Sequence, residues 1–380
     1  MRRAMLDLRP VALCLSLLAT APPAAAQPAS LTNATVVPHA ATGGLAPMLA
    51  EVLRGVRGTE WVGWSAPATA DAEMCCWNSW SDSRGGCCHG CRLGGRRETR
   101  GADATEHAPA PPDEADGMAK PAPVRLGGAE RLLVLLRAEA GAVRRVETYT
   151  EGCPIDAGGA TLHWIDGASS ADSVAALSKL VRADASERSA KRLADAALAS
   201  IAHHAGDAAD AALASFLAAE QPLSVRKKAA FWVGNARQGR GLDTLLRLAR
   251  EDRDAAFREH LAFVLTQAKD ERATDALVRM AKQDESPRVR GQALFWLGQQ
   301  ASRKAVAAIA GAIESDPETE IKKKAVFALS QLPRDEGVPL LIKTARGHSN
   351  PAVRKQAMFW LGQSQDARAL AFFEEVLLKN

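Results

Sequence analysis

FWVGN at residues 231–235, FWLGQ at 295–299 and FWLGQ again at 359–363 write one apolar phrase three times, at steps of 64 residues. Half that step is the true period. Val225-Arg226, Phe257-Arg258, Val289-Arg290, Ile321-Lys322 and Val353-Arg354 recur every 32 residues without a gap. Phe231, Phe263, Phe295, Phe327 and Phe359 keep the same step, as do Leu245, Leu277, Ile309, Leu341 and Phe373. An ungapped period of this length is the signature of a solenoid, whose units bury their apolar faces only against one another.

Each unit reads as two helices. Asp254, Ser286 and Asn350 are N-cap types at equivalent positions, and Pro287 and Pro351 follow at the first helical position. The first helix is expected to stop near Gly234, Gly298 or Gly362, by the left-handed conformation that glycine adopts freely. Val225, Ala229, Trp232 and Val233 share one helical face; Leu242, Leu245, Leu246, Leu248 and Ala249 make the apolar face of the second helix. Residues 186–221 contain a degenerate first copy, clearest over Leu193–Ala219. Glu374 stands where the other units carry Leu246, Val278, Ala310 and Ile342, which suits a last repeat facing water.

The pattern V-R-x-x-A-x-x-x-[LV]-G, followed by a leucine-rich second helix, resembles the HEAT repeat in the short form of phycobilisome-lyase-type proteins. The resemblance covers five repeats over residues 222–380. It implies an α-solenoid with an extended surface for a protein partner, and no particular activity. This chain departs from the pattern by placing Trp232, Trp296 and Trp360 where such repeats carry a small residue. Val264 and Ala328 lie between them, so bulky and small residues alternate along the stack.

Two ladders have two readings each. The phenylalanines fall well off the core face and either pack sideways against the next repeat or form an aromatic stripe for a partner. The basic residues Arg226, Arg258, Arg290, Lys322 and Arg354 either pair with acids in the adjoining turn, such as Asp252 and Asp284, or face an anionic ligand.

The N-terminus MRRAMLDLRPVALCLSLLATAPPAAAQ has a basic start, a short apolar run and small residues at Ala24-Ala25-Ala26. Residues 1–26 therefore read as a secretory signal peptide. An exported, periplasmic or secreted chain is expected, with no transmembrane segment once matured. A formal net charge of +4 over 380 residues gives no case for a nucleic-acid partner.

Residues 27–185 read as a small α+β domain. WVGWSAPA (61–68) is strand-like, residues 131–152 read as a β-hairpin about Ala140-Gly141-Ala142, and DSVAALSKLV (172–181) as a helix. The Pro- and Ala-rich, acidic stretch at about 98–124 reads as a flexible insertion. CCWNSWSDSRGGCCHGC (75–91) supplies the chemistry candidates. Cys75, Cys76, Cys87, Cys88, Cys91 and Cys153 form an even set, which in an exported chain reads as disulfides stapling a short, polar segment. The alternatives are a thiol–disulfide oxidoreductase site at Cys88-His89-Gly90-Cys91 and a zinc site among the same cysteines. The adjacent Cys-Cys pairs do not match the usual zinc spacing, and no βαβ pattern surrounds the C-x-x-C.

The sequence thus predicts a mostly α protein: a solenoid of short HEAT repeats preceded by a disulfide-stapled α+β domain. It is expected to act as a non-catalytic scaffold for a protein partner, without cofactor or metal. The candidate contact surface is the outer side of the second helices, at Asp243, Arg247, Arg250, Asp275, Arg279, Lys282 and Lys343. The sequence fixes neither the oligomeric state nor the partner.

Overall fold

Leu132–Leu136 is an unbroken apolar run, and the computed structural model buries all of it in the centre of a sheet. The structure describes residues 31–69, 91–93, 131–150, 153, 155–181, 188–268 and 270–378. The expected signal peptide and the insertion at about 98–124 lie outside them. The N-terminal strands are β1 (Leu31–Thr32), β2 (Thr35–Ala40), β3 (Thr59–Pro67) and β4 (Cys91–Arg92); helix α1 (Leu45–Gly55) separates β2 from β3. Then follow β5 (Arg131–Glu139), β6 (Ala142–Thr150), β7 (Ile155–Asp156), β8 (Thr161–Asp166) and helix α2 (Ser170–Ser178).

The expected hairpin is β5–β6. Ala140 and Gly141 turn it with φ of 48° and 79°, the two positive angles of a two-residue type I′ turn. The main sheet has the order β2-β8-β3-β5-β6, parallel across β2–β8–β3 and antiparallel from β3 onward. A smaller sheet, β1-β7-β4, is parallel throughout. The main sheet is buried on both faces. Trp61, Leu133, Leu135, Leu162 and Trp164 point to one core; Val62, Trp64, Val134, Leu136 and Ile165 point to the other. That second core runs without a break through α2 and along the repeats to Phe372.

The degenerate copy is a helix pair, α3 (Arg188–His203) and α4 (Asp207–Leu217). The five repeats follow as α5 (Leu223–Ala236) with α6 (Gln238–Glu251), α7 (Ala255–Leu265) with α8 (Glu271–Gln283), and α9 (Pro287–Gln300) with α10 (Arg303–Ser315). Helices α11 (Thr319–Ser330), α12 (Arg334–Gly347), α13 (Pro351–Gln363) and α14 (Ala367–Leu378) complete the array. Asp254 and Asn350 cap their helices through side-chain oxygens, whereas Ser286 has the extended cap backbone without a side-chain bond.

The repeated glycine corrects the sequence reading. Gly234, Gly298 and Gly362 all lie inside their helices, and none has a positive φ. Their use is close approach. A Cβ on Gly234 would meet Val264 Cγ1 at 2.6 Å, and one on Gly298 would meet the Ala328 carbonyl oxygen at 2.9 Å. The next repeat sits where a side chain would stand.

The basic ladder is structural. Arg226 pairs with Asp252, Arg258 with Asp284 at 2.8 Å, and Arg290 with Asp316 at 2.8 Å, all with buried side chains. Each of these carboxylates also accepts the backbone N–H two residues on. The next rung changes both partners. His348 replaces the aspartate and takes over its bond, accepting the Asn350 N–H at Nδ1 (3.0 Å). Lys322 replaces the arginine and donates to the Ile313 carbonyl at 2.8 Å.

The phenylalanines pack sideways. Phe231 stacks on Phe263 and Phe295 on Phe327, each pair at 6.2 Å between ring centroids. Trp296 and Trp360 bridge the pairs, at 5.1 Å from Phe263 and 5.0 Å from Phe327. The aromatic ribbon is half-buried until Phe359, which is 54% exposed. Its cost is visible in the indoles. Trp232 donates to Asp195, but the N–H groups of Trp296 and Trp360 are buried without an acceptor among the described residues. Steps of 64 from Asp195 lead to Glu259, which Arg288 engages at 2.9 Å, and to Lys323, which has no acceptor to offer.

Candidate functional site

Burial of one face of each second helix decides which residues face outward. In α6, Leu242, Leu245, Leu248 and Ala249 are buried, so Asp243, Arg247 and Arg250 are exposed. In α8, Ala273, Ala276, Leu277 and Met280 are buried; Asp275 and Lys282 are exposed and Arg279 is half-exposed. Lys343 is exposed on α12.

The fold brings five of the seven sequence-selected residues together. Asp243, Arg247, Arg250, Asp275 and Arg279, with Leu246 and Arg272, line one shallow groove of about 340 Å³ between α6 and α8. Lys282 and Lys343 do not line it. Arg247 also borders a second depression of about 650 Å³, whose other walls include Leu217, Thr244 and Arg253. The two hollows meet at Arg247.

Charge divides the set in a way the sequence did not reveal. Asp243 is taken by Arg272 at 2.8 Å, and Asp275 by Lys304 at 2.7 Å. Arg272 also grips Asp270, whose carboxyl is held below the usual range by that side-chain hydrogen bond and by a second one from the Arg272 backbone N–H. Arg250 leans on its neighbour Glu251. Among the described residues, the side chains of Arg247, Arg279, Lys282 and Lys343 have no ion pair or hydrogen bond. The groove therefore offers guanidinium forks beside the apolar Leu246, a donor set matched to carboxylates. Arg272 was missed from sequence because its role depends on an inter-repeat pair. The recurring Asp243–Arg272 and Asp275–Lys304 offset of 29 residues carries that signal.

The cysteine candidates are only partly within view. Cys75, Cys76, Cys87 and Cys88 lie outside the described residues. Cys91 opens β4 and pairs with Ile155, two residues on from Cys153. Cys153 is fully buried, lies 3.1 Å from the Thr150 hydroxyl and is disulfide-bonded.

Two polar clusters appear that the sequence reading did not select. His163 donates Nε2–H to Glu60 at 2.6 Å, because a carboxylate is the acceptor; its Nδ1 then accepts from His39 Nε2 at 3.0 Å. Burial, then the neighbouring His163, lower the His39 pKa. The second cluster is fully buried at the seam between sheet and helices. Trp64 donates its indole N–H to Ser173 Oγ at 2.7 Å, and Ser173 donates to His204 Nε2 at 2.7 Å. His204 donates Nδ1–H to the Ser200 carbonyl at 2.7 Å, which fixes that tautomer. Trp64, Ser173 and His204 each have a partner, so this serine–histidine pair ties two halves of the core together; among the described residues the Ser200 hydroxyl is buried without one.

A family model described as HEAT repeats matches residues 211–298, 242–328, 274–346 and 309–380. No curated protein matches the chain. Similar solved structures include the complex of CpcE and CpcF of phycocyanin lyase from Nostoc sp. PCC7120, at 18% identity and a TM-score of 0.33, covering 41% of this chain and 98% of that one. Human deoxyhypusine hydroxylase in complex with glycerol is similar at 16% identity and a TM-score of 0.24, covering 54% of this chain and 90% of that one. A chain from the complex of Kap95p with RanGDP is similar at 18% identity and a TM-score of 0.36, covering 56% of this chain and 32% of that one. The helical part of this chain, residues 211–380, is an array of HEAT repeats.

Proposed function

We propose that this chain is an exported, non-catalytic scaffold whose HEAT array binds an acidic segment of a protein partner. The observation that carries the reading is the groove between α6 and α8, where Arg247 and Arg279 present guanidinium groups that no residue of the described chain engages. Export rests on the signal-like residues 1–26, and a stapled α+β domain over 27–185 on the buried, disulfide-bonded Cys153. In this reading the remaining cysteines of 75–91 are paired and inert.

The test places a photo-crosslinking amino acid at position 247, with position 307 (Ala307, exposed on α10) as the control site, in protein exported to a bacterial periplasm. A discrete adduct at 247 that disappears with Arg279→Glu supports the reading. Equal labelling at both positions, or none at 247, sinks it. Alkylation of the same mature protein separates scaffold from redox or zinc chemistry. A readily alkylated thiol pair, or stoichiometric zinc, would replace the scaffold by a site at Cys88 and Cys91.

A further inference from the structure

His39, His163 and Glu60 stand on three adjacent strands, β2, β8 and β3, where parallel pairing sets Val37 beside His163 and His163 beside Val62. Side chains alternate along a strand, so all three share a sheet face with Val62 and Ile165, the face against which α1 packs Leu45 and Val52. Their order across that face is carboxylate, imidazole, imidazole. His163 spends its Nε2–H on Glu60 at 2.6 Å and turns an unprotonated Nδ1 toward His39 Nε2 at 3.0 Å.

That order suits a metal ion. A carboxylate on one ring nitrogen fixes the tautomer of a histidine and raises the basicity of the other nitrogen. Two zinc–nitrogen bonds of about 2.0–2.1 Å at a tetrahedral angle hold their nitrogens roughly 3.3 Å apart. The pair at 3.0 Å therefore has to open by only a few tenths of an ångström. The proton between the rings has somewhere to go: His39 Nδ1 has no partner among the described residues and takes it, which frees Nε2 to ligate. Burial, and then the neighbouring His163, lower the His39 pKa against the pull of Glu51 on α1, so this ring is neutral at pH 7. The side chains of His163 and Glu60 are 18% and 28% exposed, which lets water reach the pair.

We propose that His39 Nε2 and His163 Nδ1 bind a divalent transition metal of the zinc type, with Glu60 as the positioning residue behind His163. Among the described residues no three His, Cys, Asp or Glu side chains converge to hold an ion, so the chain supplies two ligands and water the others. Imidazoles select zinc, copper(II) or nickel over the hard cations magnesium and calcium. With half the protein ligands of a structural zinc centre, the site exchanges its ion and empties on dialysis. Zinc that survives purification therefore still points to the cysteines, and the two readings fail separately.

Calorimetric titration of zinc chloride into the dialysed full chain at pH 7.5, from roughly 1 μM to 1 mM, tests this. The expected result is one ion per chain that His39→Gln and His163→Gln each abolish, with magnesium giving no heat. Glu60→Gln keeps an acceptor for His163 Nε2–H but loses the charge, and should weaken zinc at least tenfold with an unchanged circular dichroism spectrum. A merely structural hydrogen bond would not move that affinity. Should the histidine variants disturb the sheet, imidazole ¹⁵N spectra of the unaltered chain read the ligands directly: zinc should shift His39 Nε2 and His163 Nδ1 and leave His163 Nε2 protonated. Zinc binding that survives both histidine variants, no binding up to 1 mM, or an affinity unchanged in Glu60→Gln overturns the proposal. Arg279→Glu should leave zinc binding untouched, so the result stands apart from the fate of the acidic-partner reading.

Discussion

In the HEAT array a residue's surroundings return every 32 residues, whereas in the sheet half no environment occurs twice. Arg258 meets Asp284 and Arg290 meets Asp316 across the same separation of 26 residues. Trp64, by contrast, reaches Ser173 over 109 residues, and Ser173 reaches His204 over 31. The array is held by many copies of a few contacts between neighbours, whereas the seam carries, beside its apolar core and the backbone bonds of Thr69 to His203 and Ala205 to Pro67, one side-chain relay that has no duplicate. Losing a rung should cost energy locally; losing the relay should loosen the join between two halves of one core.

The largest effect is expected inside the array. Arg258→Ala leaves the Asp284 carboxylate buried without its cation, which costs about 3–5 kcal/mol. Arg354→Ala removes bonds to the His348 and Ser349 carbonyls and strands no charge. It should cost about 1 kcal/mol. Urea unfolding midpoints measure both, and equal losses would show that the paired carboxylate adds nothing to the rung beyond the bonds to backbone carbonyls.

At the seam, pH is the sharper tool. Burial, helped by His203 and Arg237, pushes the His204 pKa from 6.5 down to about 4, against the raising effect of the Ser200 carbonyl. A base whose pKa falls on folding is held neutral by the fold. Its stabilisation is complete above pH 6.5 and is lost as pH falls toward 4, to a total of about 3 kcal/mol. His204→Gln should be less stable at pH 7.5 and should flatten the stability profile between pH 6.5 and 4. Unfolding at fixed pH steps reads this directly, and an unchanged slope in the variant would remove His204 from the relay's energetics.

The same contrast explains what could be read from sequence. The array was legible because one spacing, seen at the Val-Arg, Phe and Leu positions, repeats the evidence five times. The groove was half legible. Outward positions follow from helical periodicity, but which charges are already spent depends on pairs such as Asp243–Arg272, formed only when repeats stack. In the sheet half, β3 and the β5–β6 hairpin were visible from their own composition. Strands β2 and β8 and helix α1 were not. Val36 and Val37 sit in a six-residue strand beside Pro38, and His163 interrupts LHWI, so neither segment alternates cleanly. Their pairing is parallel and remote, which leaves no local turn to announce it.

The glycines give the smallest effect and the finest comparison. Gly298→Ala puts a methyl group 2.9 Å from the Ala328 carbonyl oxygen, so the next repeat must shift, at about 1–3 kcal/mol. Gly362→Ala makes the same change in the same phrase with nothing within 4 Å. There only the backbone term remains, and replacing a helical glycine by alanine should stabilise by up to about 1 kcal/mol. Opposite signs for one substitution at two copies of one phrase would show that the glycine serves the neighbour and not its own helix. A loss at Gly362 as large as that at Gly298 would instead return the glycine to a role within the repeat.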